Sequence, residues 1–377
     1  MMQMPDKLPR WLAPLLFTAA LAGAFWRAPS PEAAALVPPP AAAPSALPAV
    51  FAAEMLPRVA ASAHAASLAQ LADGRIAAAW FAGSKEGADD VAIWYSVLGR
   101  DGWNDARPIA NRESTAGGTF AHVRKLGNPV LYTEGSWLHL WYVSVAVGGW
   151  AGSSINHSVS TDGGKTWSKP TKLQTSPFAN ISTLVRTPPL PLADGGLGLP
   201  VYHEFIAKHG EWLRLSPTGQ ILDKVRMPHA LRTLQPAVVA LDEQRAIALL
   251  RDAGPGPGKV QMSATQNGGQ SWEEGEALAV PNPNASVALL RLKSGRLLLA
   301  GNPQDSREAM LLWLSSDEGK TWQPSRTVES AADGGAEFSY PALLLGRDGR
   351  IHLAYTWRRQ GIKHAAFSEA WLDGKTP

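Results

Sequence analysis

The feature that most constrains the fold of this chain is a phrase that returns six times: a turn that carries Gly or an acidic residue, then a run of apolar strand-formers. The six turns begin at Asp73, Glu134, Asp194, Asp242, Ser294 and Asp348. Their successive spacings are 61, 60, 48, 52 and 54 residues. A period near 50 residues, built from turns and short strands, is typical of a β-propeller, in which each repeat is one blade. We therefore predict an all-β, six-bladed β-propeller, which would gather residues that are far apart in sequence around a single axis.

A second motif follows the pattern S-x-D-x-G-x-T-W. Residues 160–167 and 315–322 fit it fully, and a worn copy occupies residues 265–272. Asp or Asn beside Gly favours a tight hairpin turn with positive φ, and the Trp can fold back over the hairpin. This motif, the Asp-box, resembles that of bacterial BNR-repeat proteins of the sialidase (neuraminidase) superfamily. Since Asp-boxes in that family lie at the blade periphery, the resemblance implies the fold and leaves the substrate open.

Composition excludes several classes of function. The chain has 377 residues, no Cys and a net charge of +3. Without Cys there are no disulfides and no Cys-ligated metals. No His, Asp and Glu cluster has metal-ligand spacing and no Gly-rich phosphate loop is present, so we predict no metal and no cofactor. No basic run suggests nucleic acid. We expect a monomer whose partner is a glycan or polysaccharide.

The N-terminus divides the chain into three parts. Lys7 and Arg10 precede the apolar residues 11–26, so residues 1–26 read as a signal peptide or a membrane anchor. Residues 27–56 are rich in Ala and Pro, which predicts a linker. Residues 57–377 then form the propeller. This organisation predicts a periplasmic or secreted domain, released or anchored to the inner membrane.

The resemblance to sialidases implies a specific set of site residues. Sialidases use a tyrosine nucleophile activated by a Glu, an exception among glycosidases. Three arginines bind the substrate carboxylate, because guanidinium groups match it with paired hydrogen bonds. An Asp near the first blade acts as acid and base.

Several positions of this chain match that set. Tyr340, just before the last turn of the repeat, resembles the nucleophile. Arg251 and Arg307 resemble the middle and last arginines. Asp89 and Asp90, after the first strand, occupy the place of the acid.

Two positions depart from the family. His64 stands where the first arginine is expected, and Gln235 stands where the family has the Glu that activates the tyrosine. Gln cannot act as a base, but His is a natural acid and base near neutral pH. Glu204 offers an alternative catalytic carboxylate, ranked above Glu337 because strand alternation puts Glu337 and Tyr340 on opposite faces. Further candidates for contacting the sugar are Gln235, Arg358 and Asn282.

The functional expectation is an extracytoplasmic, sialidase-like exo-glycosidase that acts on terminal acidic sugars. Two alternatives stay open from the residues. One is a uronate-acting hydrolase or lyase in which His64 and Tyr340 carry the proton transfers. The other is a carbohydrate-binding propeller without catalysis.

Overall fold

The structure is a computed structural model that describes residues 9, 11–27, 34–40, 47–175, 180, 182–229, 232–303, 306–331 and 334–375. The chain divides into two units, residues 1–33 and residues 34–377. The first unit contains helix α1 (Leu12–Arg27). None of the described helices combines the length and the apolar character that a membrane crossing requires. The signal peptide or anchor therefore stays a prediction, which sequencing of the mature N-terminus would check.

The second unit is a propeller of six antiparallel sheets, which confirms the predicted fold class. Its first strand, β1 (Phe51–Met55), belongs to the last blade. The strands of the first blade are β2 (Ser62–Gln70), β3 (Ile76–Gly83), β4 (Ala92–Val97) and β5 (Arg107–Ala110). Helix α2 (Arg112–Thr119) then leads to the second blade, with β6 (Lys125–Glu134), β7 (Trp137–Val145), a 3₁₀ turn (Trp150–Gly152), β8 (Ser153–Ser160) and β9 (Thr171–Lys172).

The remaining blades repeat this order. The third has β10 (Leu184–Val185), β11 (Leu190–Pro191), β12 (Leu197–Glu204), β13 (Lys208–Leu215) and β14 (Ile221–Arg226). The fourth has β15 (Thr233–Ala240), β16 (Ala246–Asp252), β18 (Gln261–Thr265) and β19 (Glu273–Glu274), with β17 (Gly258–Lys259) and β20 (Pro281–Asn282) paired separately. The last two have β21 (Ala288–Arg291), β22 (Leu297–Gly301), β23 (Ala309–Ser315), β24 (Gln323–Ser330), β25 (Phe338–Leu345), β26 (Ile351–Trp357) and β27 (Gly361–Phe367). Helix α3 (Glu369–Leu372) follows.

The inner strand of each blade starts at the same face of the propeller, which we call the upper face. In β2, His64 pairs with Phe81 near the end of β3, and in β25, Phe338 pairs with Trp357 at the end of β26. Loops between second and third strands therefore lie on the upper face, as do the connections from one blade to the next. The turns between first and second strands, which carry the repeated phrase, lie on the lower face.

The Asp-boxes are structural, as predicted. In the first, the Ser160 hydroxyl accepts a hydrogen bond from Gly164 N at 2.8 Å, and the Trp167 indole donates to Gly164 O at 3.0 Å. In the second, Trp322 donates to Gly319 O at 3.0 Å. Both hairpins join the third and fourth strands of a blade, at the lower face and away from the starts of the inner strands.

The ring is closed by residues that the sequence analysis assigned to the linker. Strand β1 pairs with β27 as the outer strand of the last blade, and Phe51 stacks on Trp371 with ring centroids 4.6 Å apart. Leu36 is buried and bridges Leu192 of the third blade. The domain boundary at residue 57 is thus too late, because apolar side chains among the Ala and Pro residues pack on the propeller.

Removing residues 1–55 is expected to destabilise the propeller, whereas removing residues 1–33 leaves it folded. The longer deletion exposes the edge of β27 and removes Leu36 and Phe51 from their contacts. Large buried side chains contribute about 2–5 kcal/mol each, so the melting temperature should fall by roughly 10 °C or more. Calorimetry on both truncated proteins measures the difference, and equal melting temperatures would contradict the closing role of β1.

Candidate functional site

The inner strands share one backbone device at the upper face. Each blade has a residue other than Gly in the left-handed region there, with φ between 41° and 55°. These residues are Ala65, Asn128, Ser182, Gln235, Asn284 and Tyr340. In β2, β6, β15 and β25 the pairing register shifts at this point, which is the mark of a β-bulge. A bulge re-aims a side chain, so the repeated distortion brings side chains from several blades to one place.

Tyr340 lies at the centre of this arrangement and is 9% exposed. Its phenol oxygen accepts a hydrogen bond from Arg251 Nη1 at 2.8 Å and a longer one from Gln235 Nε2 at 3.5 Å. The guanidinium carbons of Arg186 and Arg307 lie 5.4 and 5.8 Å from the centre of its ring. Every one of these contacts presents a donor or a positive charge, an arrangement that stabilises negative charge on the phenol oxygen.

His64 lies against Tyr340, with ring centroids 4.1 Å apart. Burial, followed by the positive charges of Arg359, Arg186 and the other site arginines, holds the pKa of His64 well below its usual range. The imidazole is therefore neutral at neutral pH.

The hydrogen bonds of His64 assign its tautomer. Nδ1 lies 2.8 Å from the Thr356 hydroxyl, whose oxygen already accepts the Ala65 N–H at 3.2 Å. Among the described residues Nδ1 is the acceptor within reach of the hydroxyl proton, so Thr356 donates to Nδ1. The proton of the ring is then on Nε2, which makes His64 a neutral donor rather than a base.

Asn284 joins two of the predicted arginines. Its side-chain oxygen accepts from Arg251 Nε at 2.6 Å, and its carbonyl accepts from Arg307 Nη2 at 2.6 Å. Arg251 also donates to Gln235 Oε1 at 3.3 Å. The structure thus brings together Tyr340, Gln235, Arg251 and Arg307, as the sequence suggested, and adds Asn284 to them.

Glu337 links Arg307 to a further arginine, Arg359. Its carboxylate accepts from Arg307 at 3.0 Å, from Ser339 at 2.5 Å and from Arg359 Nε at 2.8 Å. Burial opposes ionisation of Glu337, but the hydrogen bonds of Arg359 and Ser339 outweigh it and hold its pKa below the usual range. Arg359 also pairs with Glu86 at 2.5 Å, which ties the loop after β3 to this cluster.

Arg186 is the buried residue that sequence reasoning missed. It is 2% exposed, and it donates to Ala66 O at 3.1 Å, to Tyr340 O at 2.7 Å and to Pro341 O at 3.0 Å. Burial lowers the pKa of Arg186 to about 10, so the group is charged at neutral pH. It therefore crosses from the third blade to the first and the last, and it holds the backbone on which Tyr340 is displayed.

The two candidate acids are not beside Tyr340. Asp89 is exposed and pairs with Arg112 at 2.8 Å. Asp90 is also exposed and accepts from the backbone N–H of Ser84 at 2.9 Å and from its hydroxyl at 3.0 Å. Both line a cleft beside helix α2, on the outer part of the first blade.

The other candidates lie in different surroundings. Glu204 ends β12 and its carboxylate is 3.7 Å from Lys208. The Arg358 guanidinium lies over the Trp357 ring at 5.4 Å. Asn282 is buried and its amide exchanges hydrogen bonds with the backbone of Ala285, so it holds the loop.

One sequence signal, an X-Pro dipeptide at the start of an inner strand, bears on the missed residue Asn284. The dipeptides Asn128-Pro129, Gln235-Pro236 and Tyr340-Pro341 mark the start of three inner strands, and the position of Asn284 matches them in the fifth blade. Arg186 has no such signal, because its partners belong to the first and last blades. Arg359 has none either, because its partners are Glu337 beside β25 and Glu86 of the first blade. Within the described part of the chain, no group of three or more His, Asp or Glu residues could hold a metal ion.

Residues 74–353 match the family described as BNR repeat-like domain. A relative named "Sialidase" from Bacteroides fragilis (strain YCH46) is 24% identical over 326 residues, covering 75% of this chain and 56% of that protein. The chain therefore spans little more than half the length of this relative.

Solved structures share the fold at low identity. A Hadza microbial sialidase, Hz136, matches with a TM-score of 0.68 and 15% identity over 82% of this chain and 66% of its own. The intramolecular trans-sialidase of Ruminococcus gnavus, in complex with oseltamivir carboxylate, matches with a TM-score of 0.63 and 14% identity over 84% and 96%. A protein of unknown function from Dyadobacter fermentans DSM 18053 matches with a TM-score of 0.64 and 14% identity over 84% and 97%.

Replacing Arg186→Met is expected to lower the free energy of unfolding by about 3 kcal/mol or more, because buried carbonyl groups are left without a donor. The matched control is Arg75→Met, which removes an exposed pair with Asp73 that is worth about 0–1 kcal/mol. Denaturant unfolding measures both, and similar losses would contradict the bridging role of Arg186.

Proposed function

Since this chain belongs to the BNR repeat-like family and is a sialidase-like protein, we propose that it is an exo-acting glycosidase that removes a terminal acidic sugar, sialic acid or a similar one, from glycans. The observation that carries the proposal is the environment of Tyr340. Its phenol oxygen accepts a hydrogen bond from Arg251 at 2.8 Å, and it lies within a cluster of arginines. A tyrosine in such a cluster suits a substrate whose reacting carbon bears a carboxylate, since a carboxylate nucleophile would be repelled.

The arginines supply the binding of the acid group. Arg251 and Arg307 lie on either side of Asn284, and Arg359 joins Arg307 through Glu337. Guanidinium groups bind a carboxylate by paired, charge-assisted hydrogen bonds. In this proposal Arg359 provides the third cation, in place of the arginine that His64 replaces. The oseltamivir carboxylate held by the similar R. gnavus enzyme, an acidic ligand, is consistent with this preference.

Tyr340 is the proposed nucleophile, without a carboxylate to take its proton. Gln235 occupies the position of the family's Glu and donates to the phenol oxygen, as Arg251 does. The phenol proton leaves to solvent water, and these donors stabilise the phenolate oxygen that then attacks the anomeric carbon. His64 contributes its Nε2–H as a neutral donor to the sugar.

Asp89 or Asp90 remains the proposed acid for the leaving group. Both belong to the loop after β3, which the ion pair between Glu86 and Arg359 joins to the cluster around Tyr340. The tautomer of His64 disfavours the alternative of a lyase that uses this histidine as its base. Nδ1 accepts from Thr356, and the other ring nitrogen, Nε2, already carries the proton. A binding propeller without catalysis is distinguished by the assay that follows.

Tyr340→Phe is expected to lower turnover of an aryl sialoside at least roughly 10³-fold, because the ring stays and the attacking oxygen is lost. Tyr132→Phe, on the lower part of β6, is the matched control and should keep the activity of the original protein. Aryl glycosides of uronic acids and a β-elimination assay on acidic polysaccharides run in parallel. Elimination products would favour the lyase, and glycan binding without turnover of any substrate would favour the binding propeller.

Arg359→Met is expected to raise KM about 10–100-fold, the effect of losing one charge-assisted hydrogen bond, with a smaller effect on kcat. Its neighbour Arg358 lies over Trp357 in the same turn, so Arg358→Met is the control for any disturbance of the hairpin. Steady-state kinetics on the best substrate separates the two constants. A larger rise of KM in Arg358→Met would show that the wrong arginine has been assigned to the substrate.

A further inference from the structure

Four large apolar side chains stand exposed on loops of the second and third blades. Phe120 is 97% exposed, Ile206 83%, Val147 75% and Phe205 48%. Among the described residues of the propeller unit, the first three have the highest exposures of any large apolar side chain. Isolated exposed apolar groups are common on proteins, but their concentration on neighbouring loops marks an interaction surface.

The loops that carry them all lie on the upper face. Phe120 follows α2 and precedes the start of β6, and Val147 follows the end of β7. Phe205 and Ile206 connect β12 to β13, where Glu204 pairs with Lys208. Arg124 donates to Gly148 O at 3.1 Å and so joins the first two loops. We call these four side chains the loop-tip surface.

The conformation of Phe120 is notable for a residue of this size. It caps α2 in the left-handed region, with φ 50° and ψ 38°, and its N–H donates to Ala116 O. Glycine takes this position with least strain, since it has no Cβ. The chain instead holds an aromatic ring there, pointing into solvent.

Basic side chains lie beside the loop tips. Arg124 is exposed, Lys125 lies over the Trp150 ring at 5.7 Å, and Lys208 is partly exposed beside Glu204. Apolar groups at the tips with cations behind them match the layers of an anionic membrane, in which headgroup charge surrounds an apolar interior. The tips belong to separate loops rather than to a groove, a shape that fits a soft surface better than a folded protein partner.

We propose that the loop-tip surface binds the propeller to an anionic lipid surface through its upper face. The four apolar side chains enter the boundary between headgroups and acyl chains, while Arg124, Lys125 and Lys208 contact the headgroups. The residues around Tyr340 lie at the same face, so a substrate attached to that surface would approach them directly. The proposal concerns binding and does not depend on the reaction.

The absence of cysteine makes a position-specific test available. Phe120→Cys and Ile206→Cys are labelled in the full chain with an environment-sensitive fluorophore and mixed with phosphatidylcholine vesicles that contain phosphatidylglycerol. Trp137→Cys, at the turn between β6 and β7 on the lower face and 53% exposed, is the matched control. We expect a blue shift, and at least twofold quenching by brominated acyl chains, at positions 120 and 206 only. Each label reports its own position, so a membrane contact of the N-terminal helix does not produce this signal.

Arg124→Ala together with Lys208→Ala should require at least about tenfold more anionic lipid for the same blue shift. Three outcomes overturn the proposal. They are an equal response at position 137, no response at positions 120 and 206, and an equal response to vesicles of phosphatidylcholine alone. A blue shift that grows with protein concentration in the absence of vesicles would instead assign the surface to a second copy of this chain.

Discussion

The site depends on a backbone distortion that each inner strand repeats. A left-handed residue other than Gly costs about 1–2 kcal/mol, and the start of each of the six inner strands holds one, with φ between 41° and 55°. The packing of the sheets offsets this strain. As a result, the first residues of each inner strand direct their side chains toward the axis. In regular strands the side chains would alternate between the two faces of a blade. Tyr340 could not then accept a hydrogen bond from Arg251 of the fourth blade and also contact the ring of His64 of the first blade.

Charge is the second constraint, because several arginines are placed close together around side chains with little exposure to solvent. Four arginines act on His64, and Glu337 is the carboxylate placed between two of them, Arg307 and Arg359. Arg186 is bonded to backbone carbonyls, so its charge is solvated by peptide dipoles. Such a cluster carries an excess of positive potential that an anionic ligand would relieve, and burial together with this excess keeps His64 neutral.

The fold was predictable from the sequence because its signals are local. Each turn and each Asp-box is a continuous stretch of at most about ten residues, and the spacing between successive turns gives the number of blades. The family pattern puts forward Tyr340, Arg251, Arg307 and Gln235, each near its own strand, and the structure places these four side chains together. Arg186 was not found, since contacts with the first and last blades place it, and Arg359 was not found, since its partners Glu337 and Glu86 are known only once the ring is closed. Asp89 and Asp90 have a place in the pattern, but local partners, Arg112 and Ser84, hold them elsewhere. The linker was predicted from its Ala and Pro content. The prediction extended too far, because a few apolar side chains in this segment, Leu36 and Phe51 among them, pack on the propeller.

The two departures from the sialidase pattern are linked by charge. Replacing an arginine by neutral His64 removes one positive charge, and replacing a glutamate by Gln235 removes one negative charge, so the pair of changes leaves the sum at the site unaltered. Either change alone would leave a buried charge with less compensation, which is costly in a poorly solvated site. Arg359 adds a cation, and its charge is balanced by an ion pair with Glu337. The carboxylate of Glu337 already lies between the guanidinium groups of Arg307 and Arg359. An incoming carboxylate would have to compete with Glu337 for Arg307 and Arg359. In the proposed function, discrimination among acidic sugars would follow from how well the acid group of each sugar replaces the carboxylate of Glu337.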